Sequence, residues 1–541
     1  MKKKFIKTLV KMALMVVFAI IVMPMSAQKT TSNSGNWTTY NRNYNSNRYS
    51  PLNQITKANV NKLHLLHTFD LGKDVSSLQT GPVVIDGVMY FSTDTVTYAI
   101  SGVTGKLIWK KIRPVKNPVG YGANRGVAYY GGKIFRGASD AHVFALNAKS
   151  GEIIWDVKLD VAGPGVAIPM APLAWNGLVF IGTAGGDNAG ITGHMYALDA
   201  NDGHVIWKFN TVPESGPARD TWPAASKGVP ISGGAFWTSI SLDIQNGILY
   251  VPAGNPAPDF DIEMRNNGEE LYTNCIIALN AKNGEMLSYI QLVKNDNHDW
   301  DVSSAPALIT TKNGKQIIAS ANKNGLLSVI DRSNVTTSSK NSSTDLRLLY
   351  EVPTTVRENT DAPLTRDNFT YFKPGILGGS EWNGAAYDPK LDVIYTITID
   401  WGVSVKLLSI QSSQKTPDIG AVFMGGEVKF DPASEAKGWV TAFNANDGSV
   451  RWKFQTPAPV LAGITPTAGG LVFTAVQNGD VYGFDANTGK VLWKTSTKLS
   501  NGGGVISYSV DGKQYIAIAA GMKSGLWPMP SNESKIMIYG L

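Results

Sequence analysis

Cysteine is nearly absent from this sequence: Cys275 is the only one in 541 residues. An internal disulfide is excluded, so packing alone must hold the chain. With no Cys-x-x-Cys-His, the sequence also carries no attachment site for covalent haem. Surplus charge is scarce as well. Formal net charge is +7, but five lysines and no acid fall within residues 1–27, so the remainder is near +2. A nearly neutral body gives no reason to expect nucleic acid. Long apolar runs are missing apart from "MALMVVFAIIVMPM" (12–25), which follows Lys2, Lys3, Lys4, Lys7 and Lys11 and precedes "SAQ". That pattern predicts an export leader, 1–27, with cleavage near Ala27. The run is short for a membrane span, so no integral membrane domain is expected beyond the leader. No long helical period follows it.

What the sequence does have is glycine, 55 residues, with 14 Trp and 20 Tyr, the composition of many short strands joined by tight turns. One phrase recurs: "YAISGVTGKLIW" (98–109), "FALNAKSGEIIW" (144–155), "YALDANDGHVIW" (196–207), "TAFNANDGSVRW" (441–452) and "YGFDANTGKVLW" (482–493). A weaker copy, "IALNAKNGEMLS" (277–288), has Ser288 in place of Trp, and "LSVIDRSN" (327–334) keeps only the first half. Each copy reads as strand, turn, strand. Its glycine supplies the positive φ of the turn. The tryptophan four residues later is placed to wedge between neighbouring sheets with its N–H on a backbone carbonyl. Spacings of roughly 40–50 residues match one four-stranded blade. The expectation is an all-β, eight-bladed β-propeller over 28–541. The polar stretch "SNVTTSSKNSSTD" (333–345) reads as an exposed loop. Residues 402–438 lack a copy and read as an insertion, over one mouth of the ring.

A propeller does not specify function, so the motifs between the copies matter. "LYVPAGNPAPDFD" (249–261) runs a strand into Gly254-Asn255-Pro256, either a strand-ending turn or a rigid mount for the Asn255 oxygen as ligand of a hard cation. "NDNHDWDVSSAPALI" (295–309) crowds Asp296, Asp299 and Asp301 around His298 and Trp300. As a strand it would put Asp299 and Asp301 on one face and Trp300 on the other. It reads either as a solvated acidic loop or as a charged base beside a cation. "VFIGTAGGDNAGITGHMYALD" (179–199) is Gly-rich, and Asp187 could join Asn255 as ligand. No helix follows it, so it is not a dinucleotide fingerprint.

Together these residues resemble the pyrroloquinoline-quinone (PQQ)-dependent alcohol dehydrogenases, the family that includes methanol dehydrogenase. The likeness runs from "WTTYNRNYNSNRYSPLNQITKANVNKL" (37–63), similar to the family's N-terminal strand, to "VDGKQYIAIAAG" (510–521), similar to its last blade. The recurrent phrase is similar to the family's tryptophan-docking motif. The resemblance implies cofactor roles for Arg125 in "ANRGVAYY", for Trp237 in "SGGAFW" as the face under the quinone, and for Lys323 in "ANKNG" near its carbonyl oxygens. It implies Asn255 as a Ca2+ ligand and Asp301 as catalytic base and ligand.

The sequence also departs from the family. The calcium-binding Glu has no identical partner, and Asp187 stands nearest. Val119 and Gly120 replace a vicinal disulfide. Gln79 replaces a Glu and Glu381 in "GGSEWNG" replaces an Asn, both at cofactor-contacting positions. Ala235 stands for Thr and Leu461 for Trp. Ser303 is not the additional Asp of lanthanide-type members, which implies calcium. The implied activity is periplasmic oxidation of an alcohol or sugar, with electrons leaving to an external acceptor, a cytochrome c or a membrane quinone. The alternatives are a non-catalytic propeller scaffold of the outer-membrane assembly type, and a propeller hydrolase or lyase using the acidic cluster.

Overall fold

The computed structural model describes residues 35–115, 122–159, 164–413, 415 and 417–541. The leader 1–27 and the pair Val119–Gly120 lie outside the described residues. Among the described residues there are eight four-stranded antiparallel sheets. In chain order the blades span 83–112, 128–158, 173–210, 241–291, 307–353, 386–456 and 465–496, and the eighth comprises 501–540 plus His64–Asp70. Strands follow sequence order within each of the first seven. In the eighth, His64–Asp70 pairs with Lys535–Gly540, so the chain's early residues supply the outermost strand of its last blade. No described helix is long and apolar enough to cross a membrane.

The turn glycines have two functions. Gly151, Gly203, Gly284 and Gly489 have φ between +72° and +80°. Each also lies under the tryptophan of the preceding blade, where an added Cβ would come within 2.6–2.7 Å of the ring of Trp109, Trp155, Trp207 or Trp452. The indole N–H then donates to the next blade's backbone: Trp109 to Ala148 O (2.9 Å), Trp207 to Ala281 O (3.1 Å), Trp452 to Ala486 O (3.0 Å) and Trp493 to Leu63 O (3.0 Å). Burying such a ring removes on the order of 200 Å² from water, about 5 kcal/mol at ~25 cal/mol per Å².

The two defective copies are repaired in different ways. The fifth blade completes its last strand only after residues 333–345, and there Tyr350 lies over Gly448 and donates to Ala445 O (2.8 Å). In the fourth blade, Ser288 donates to Ser342 O (2.6 Å) and Tyr289 N to the same carbonyl (3.1 Å). The polar stretch is therefore mostly exposed, as read, but it also covers a blade edge with backbone pairing.

Residues 35–50 run around the inside of the ring. Gly35 O, Trp37, Tyr44, Asn45 O, Asn47 O and Ser50 bond in turn to Ser509, Val84, Ala174 and Leu242, Leu308, Tyr387 and Pro466. These partners lie on the innermost strands of seven blades.

Antiparallel order puts the loops between second and third strands at the same end of a blade as the blade-to-blade connections. The recurrent turn joins third and fourth strands and lies at the other end. Two blades carry long excursions at the loop end: 253–274 in the fourth and 401–436 in the sixth. The latter forms strands Val403–Leu407 and Gly426–Phe430, paired with each other, and Val403–Leu407 pairs with Thr370–Phe372.

Candidate active site

Every residue singled out from the sequence as a site candidate lies at the loop end. Gln79, Arg125, Trp237, Asp301 and Glu381 sit on the approaches to blades one, two, four, five and six; Asp187, Asn255 and Lys323 follow second strands. Asp301, Glu381 and Asp187 act on one ammonium, that of Lys323. Lys323 Nζ donates to Asp299 Oδ1 (2.7 Å) and Asp301 Oδ2 (2.9 Å). The other Asp301 oxygen accepts Asn255 N–H at 3.0 Å. That approach needs a glycine before Asn255, because a Cβ on Gly254 would lie 2.5 Å from Asp301 Oδ1.

The 295–301 segment is not a strand. The Asp296 carboxylate accepts His298 N (3.0 Å) and Trp300 N (2.8 Å), which bends the chain back on itself, and Asp299 takes φ +59°. Asp299 and Asp301 still reach a common partner, and Trp300 stacks on His298 (4.1 Å) away from them. Asp296 caps the bend, and the His298 ring packs between Trp300 and Phe372. Burial, with Arg357 nearby, lowers the imidazole to about 3.

Burial governs the charges. It works against the Lys323 ammonium, yet Asp299, Asp301 and Glu381 hold that group well above its usual range. One ammonium serves two carboxylates. Burial and then Asp301 and Asp187 push Asp299 upward against the pull of Lys323. Burial, reinforced by Asp301, raises Asp187 to about 6. Asp187 is solvent-accessible yet ringed by protein. Its backbone carbonyl accepts Phe423 N (2.7 Å) from the sixth-blade excursion. Burial lifts Glu381 to about 8, opposed by Lys323 and Arg125 and aided by Asp301. Arg125 is lowered by burial to about 10, with Tyr40, Glu381 and Asp301 opposing.

Two neighbours went unread in the sequence. Asp259 is fully buried, accepts Asn255 Nδ2 (3.1 Å) through Oδ1, and has no partner for Oδ2. Burial and then Asp187 and Asp299 raise it well above the carboxylate range. It lies four residues after Asn255 in the motif already quoted. Trp382, beside Glu381, faces Arg125 with its ring centroid 5.1 Å from the guanidinium, while Trp237 does so at 4.6 Å. Arg125 Nη1 also donates to Trp237 O (3.0 Å). Arg125 Nε and Gln79 Oε1 are buried without partners. Leu461 packs with Trp382, Trp401 and Met522 beside Trp237.

The donor set fits a divalent cation. Four mutually interacting carboxylates, Asp187, Asp259, Asp299 and Asp301, have one ammonium between them, and Asp259 Oδ2 is unpaired. The set is not a preformed three-acid cage. Among the described residues, the one group of three acids or imidazoles with ligand atoms within 4.8 Å of one another is Asp199, Asp202 and His204, on a recurrent turn at the opposite end. The orphaned Arg125 Nε and Gln79 Oε1 and the partly open Trp237 ring fit a planar ligand bearing carboxylates and carbonyls.

The fold and these residues define a quinoprotein-type propeller, and comparison with known proteins agrees. Residues 37–336 match the family described as glucose/ethanol/alcohol dehydrogenase, β-propeller domain; residues 436–529 match that of outer membrane protein assembly factor BamB. The chain is 31% identical to the dehydrogenase subunit of a quinone alcohol dehydrogenase from Gluconacetobacter polyoxogenes, over 91% of this chain and 72% of that protein. It is 28% identical to quinoprotein alcohol dehydrogenase PedH of Pseudomonas putida, over 88% and 84%. The structure of quinohemoprotein alcohol dehydrogenase ADHIIG from Pseudomonas putida superposes with TM-score 0.82 at 25% identity, covering 94% of this chain and 80% of that one. The chain belongs to the PQQ-dependent alcohol dehydrogenase family and is an oxidoreductase of that family.

Proposed function

We propose that this protein is an exported PQQ-dependent dehydrogenase that oxidises an alcohol or sugar with the help of Ca2+ and passes electrons to a separate acceptor. The carrying observation is the Asp301 carboxylate, held at one oxygen by Lys323 Nζ and at the other by Asn255 N–H. Asp187, Asn255 and Asp301 are the residues to hold Ca2+, with Asp259 beside them. Asn255 Nδ2 is committed to Pro256 O and Asp259, which leaves its carboxamide oxygen as the donor. Trp237, Arg125, Lys323, Gln79 and Glu381 are the residues to hold PQQ. When bound, PQQ supplies the two-electron acceptor and Ca2+ the Lewis acid.

The protein's own contribution is to place and orient a base. Two donors fix both Asp301 oxygens, so the carboxylate is oriented before substrate arrives. Asp301 takes the proton from the substrate hydroxyl. Lys323 and Arg125 offset negative charge that develops beside them. Burial of Asp301, Lys323 and Arg125 strengthens each of these interactions. From the cofactor, electrons go on to a separate acceptor, a cytochrome c or a membrane quinone. The lysine-rich leader, 1–27, supports a periplasmic location.

The match of 436–529 to the assembly-factor family favours a second reading, a propeller scaffold. That stretch contains none of the site candidates, so it bears on the repeat and leaves the site untouched. Titrating metal-free protein with PQQ and Ca2+ separates the two. Calcium-dependent binding, with dye reduction over an alcohol and aldose panel, is expected. Absence of binding at high PQQ supports the scaffold.

A further inference from the structure

A buried ion pair lies behind the site. Arg265 and Glu270 lie in the 253–274 excursion, each 2% exposed. One Arg265 nitrogen, Nη1, pairs with Glu270 Oε2, and the other, Nη2, donates to the backbone carbonyl of Asp296. Glu270 is itself fixed: its N–H donates to Thr221 O (3.0 Å), and its carbonyl accepts Thr273 N (2.9 Å) and Thr273 Oγ1 (2.7 Å). A cavity of about 10 Å³, room for one water, adjoins both side chains.

Asp296 is the residue whose carboxylate shapes the segment carrying Asp299 and Asp301. A second side chain reaches it from the same excursion: Asn274 Nδ2 donates to Asp296 Oδ2 (3.2 Å), while Asn274 N–H donates to Gly254 O (2.9 Å). The excursion that carries Asn255 and Asp259 thus grips the base-carrying segment at Asp296, by Arg265 on the carbonyl and Asn274 on the carboxylate.

We propose that Arg265 and Glu270 are positioning residues. They form a strut that sets the distance between the Asn255–Asp259 loop and the Asp299–Asp301 segment, and so aim the Asp301 carboxylate at the substrate hydroxyl. This function in turnover rests on the dehydrogenase reading. Neither side chain touches Asp301, so their effect is transmitted through Asp296. A buried pair with only a packing function would instead affect stability throughout the blade.

The test uses Arg265→Met and the double variant Arg265→Met/Glu270→Gln, which leaves no buried charge alone. Hydrogen exchange on metal-free protein is the first readout. Exchange across 294–301 is expected to rise about tenfold or more in both variants, with blade-core strands unchanged. In the loaded enzyme, kcat is expected to fall roughly 10–100-fold with KM little altered, as a misaimed base predicts, and Arg265→Lys to restore part of it. Unchanged exchange at 294–301, or unchanged kcat in an active enzyme, overturns the strut. Raised exchange at 294–301 in a protein whose wild type neither binds PQQ nor reduces dye upholds the strut and sinks the dehydrogenase reading.

Discussion

The two ends of each blade handle polar groups in opposite ways. At the turn end, every described tryptophan N–H of the repeat finds a carbonyl, and the rings of Trp109, Trp155, Trp207 and Trp452 each find a glycine beneath them. At the loop end, Asp259 Oδ2, Gln79 Oε1 and Arg125 Nε are buried and unpaired, and one lysine faces two carboxylates. The first arrangement is that of a structure finished by its own contacts. The second stores unfavourable burial where a ligand can relieve it. Stability should therefore be sensitive at one end and chemistry at the other.

Removing the base should have the largest effect. Asp301→Ala is expected to cut dye reduction about 10²–10⁴-fold with little change in melting; near-normal turnover would break the assignment of chemistry to the loop end. At the turn end, Trp452→Ala is expected to cost about 3–5 kcal/mol in denaturant unfolding, while turnover per folded molecule stays close to wild type. A loss of turnover without loss of stability would invert the contrast.

The third effect is a slope. Glu381 titrates near 8 in the folded protein against an ordinary 4.5. Between those values the folded state keeps a proton that the unfolded chain has released. Stability of metal-free protein should therefore fall as pH rises from about 4.5 to about 8. Melts across that window should flatten in Glu381→Gln, and an unchanged slope would assign it to other acids, such as Glu270, which burial raises to about 7. The smallest effect is expected at the repaired copy: Ser288→Ala gives up one hydrogen bond to Ser342 O, about 1 kcal/mol, measurable only by a paired comparison of midpoints.

The turn end was readable because its information is local. A glycine at positive φ and a tryptophan four residues on identify a blade without any knowledge of its neighbours. Tyr350 escaped that reading because residues 333–345 separate it from its half-copy, and only the closed ring places it over Gly448. At the loop end, Arg125, Trp237, Asn255, Asp301 and Lys323 were named through family likeness, and the structure brings them together. Asp259, Trp382 and Arg265 were not named. Their importance lies in irregular loops shaped by side-chain caps, such as Asp296 holding two N–H groups, which leave no periodicity. The same cap is why the alternation Asp299–Trp300–Asp301 suggested a strand that does not form.

The segment 35–70 has a consequence for the order of assembly. It touches the inner strands of seven blades, the eighth among them, and supplies that eighth blade's outermost strand by pairing His64–Asp70 with Lys535–Gly540. Those two stretches lie about 470 residues apart in the sequence. Contacts spanning nearly the whole chain are slow to form, and during that wait the edges of unfinished blades stay open to wrong partners. Ring closure thus becomes a single late step, which waits until residues 64–70 and 535–540 can meet.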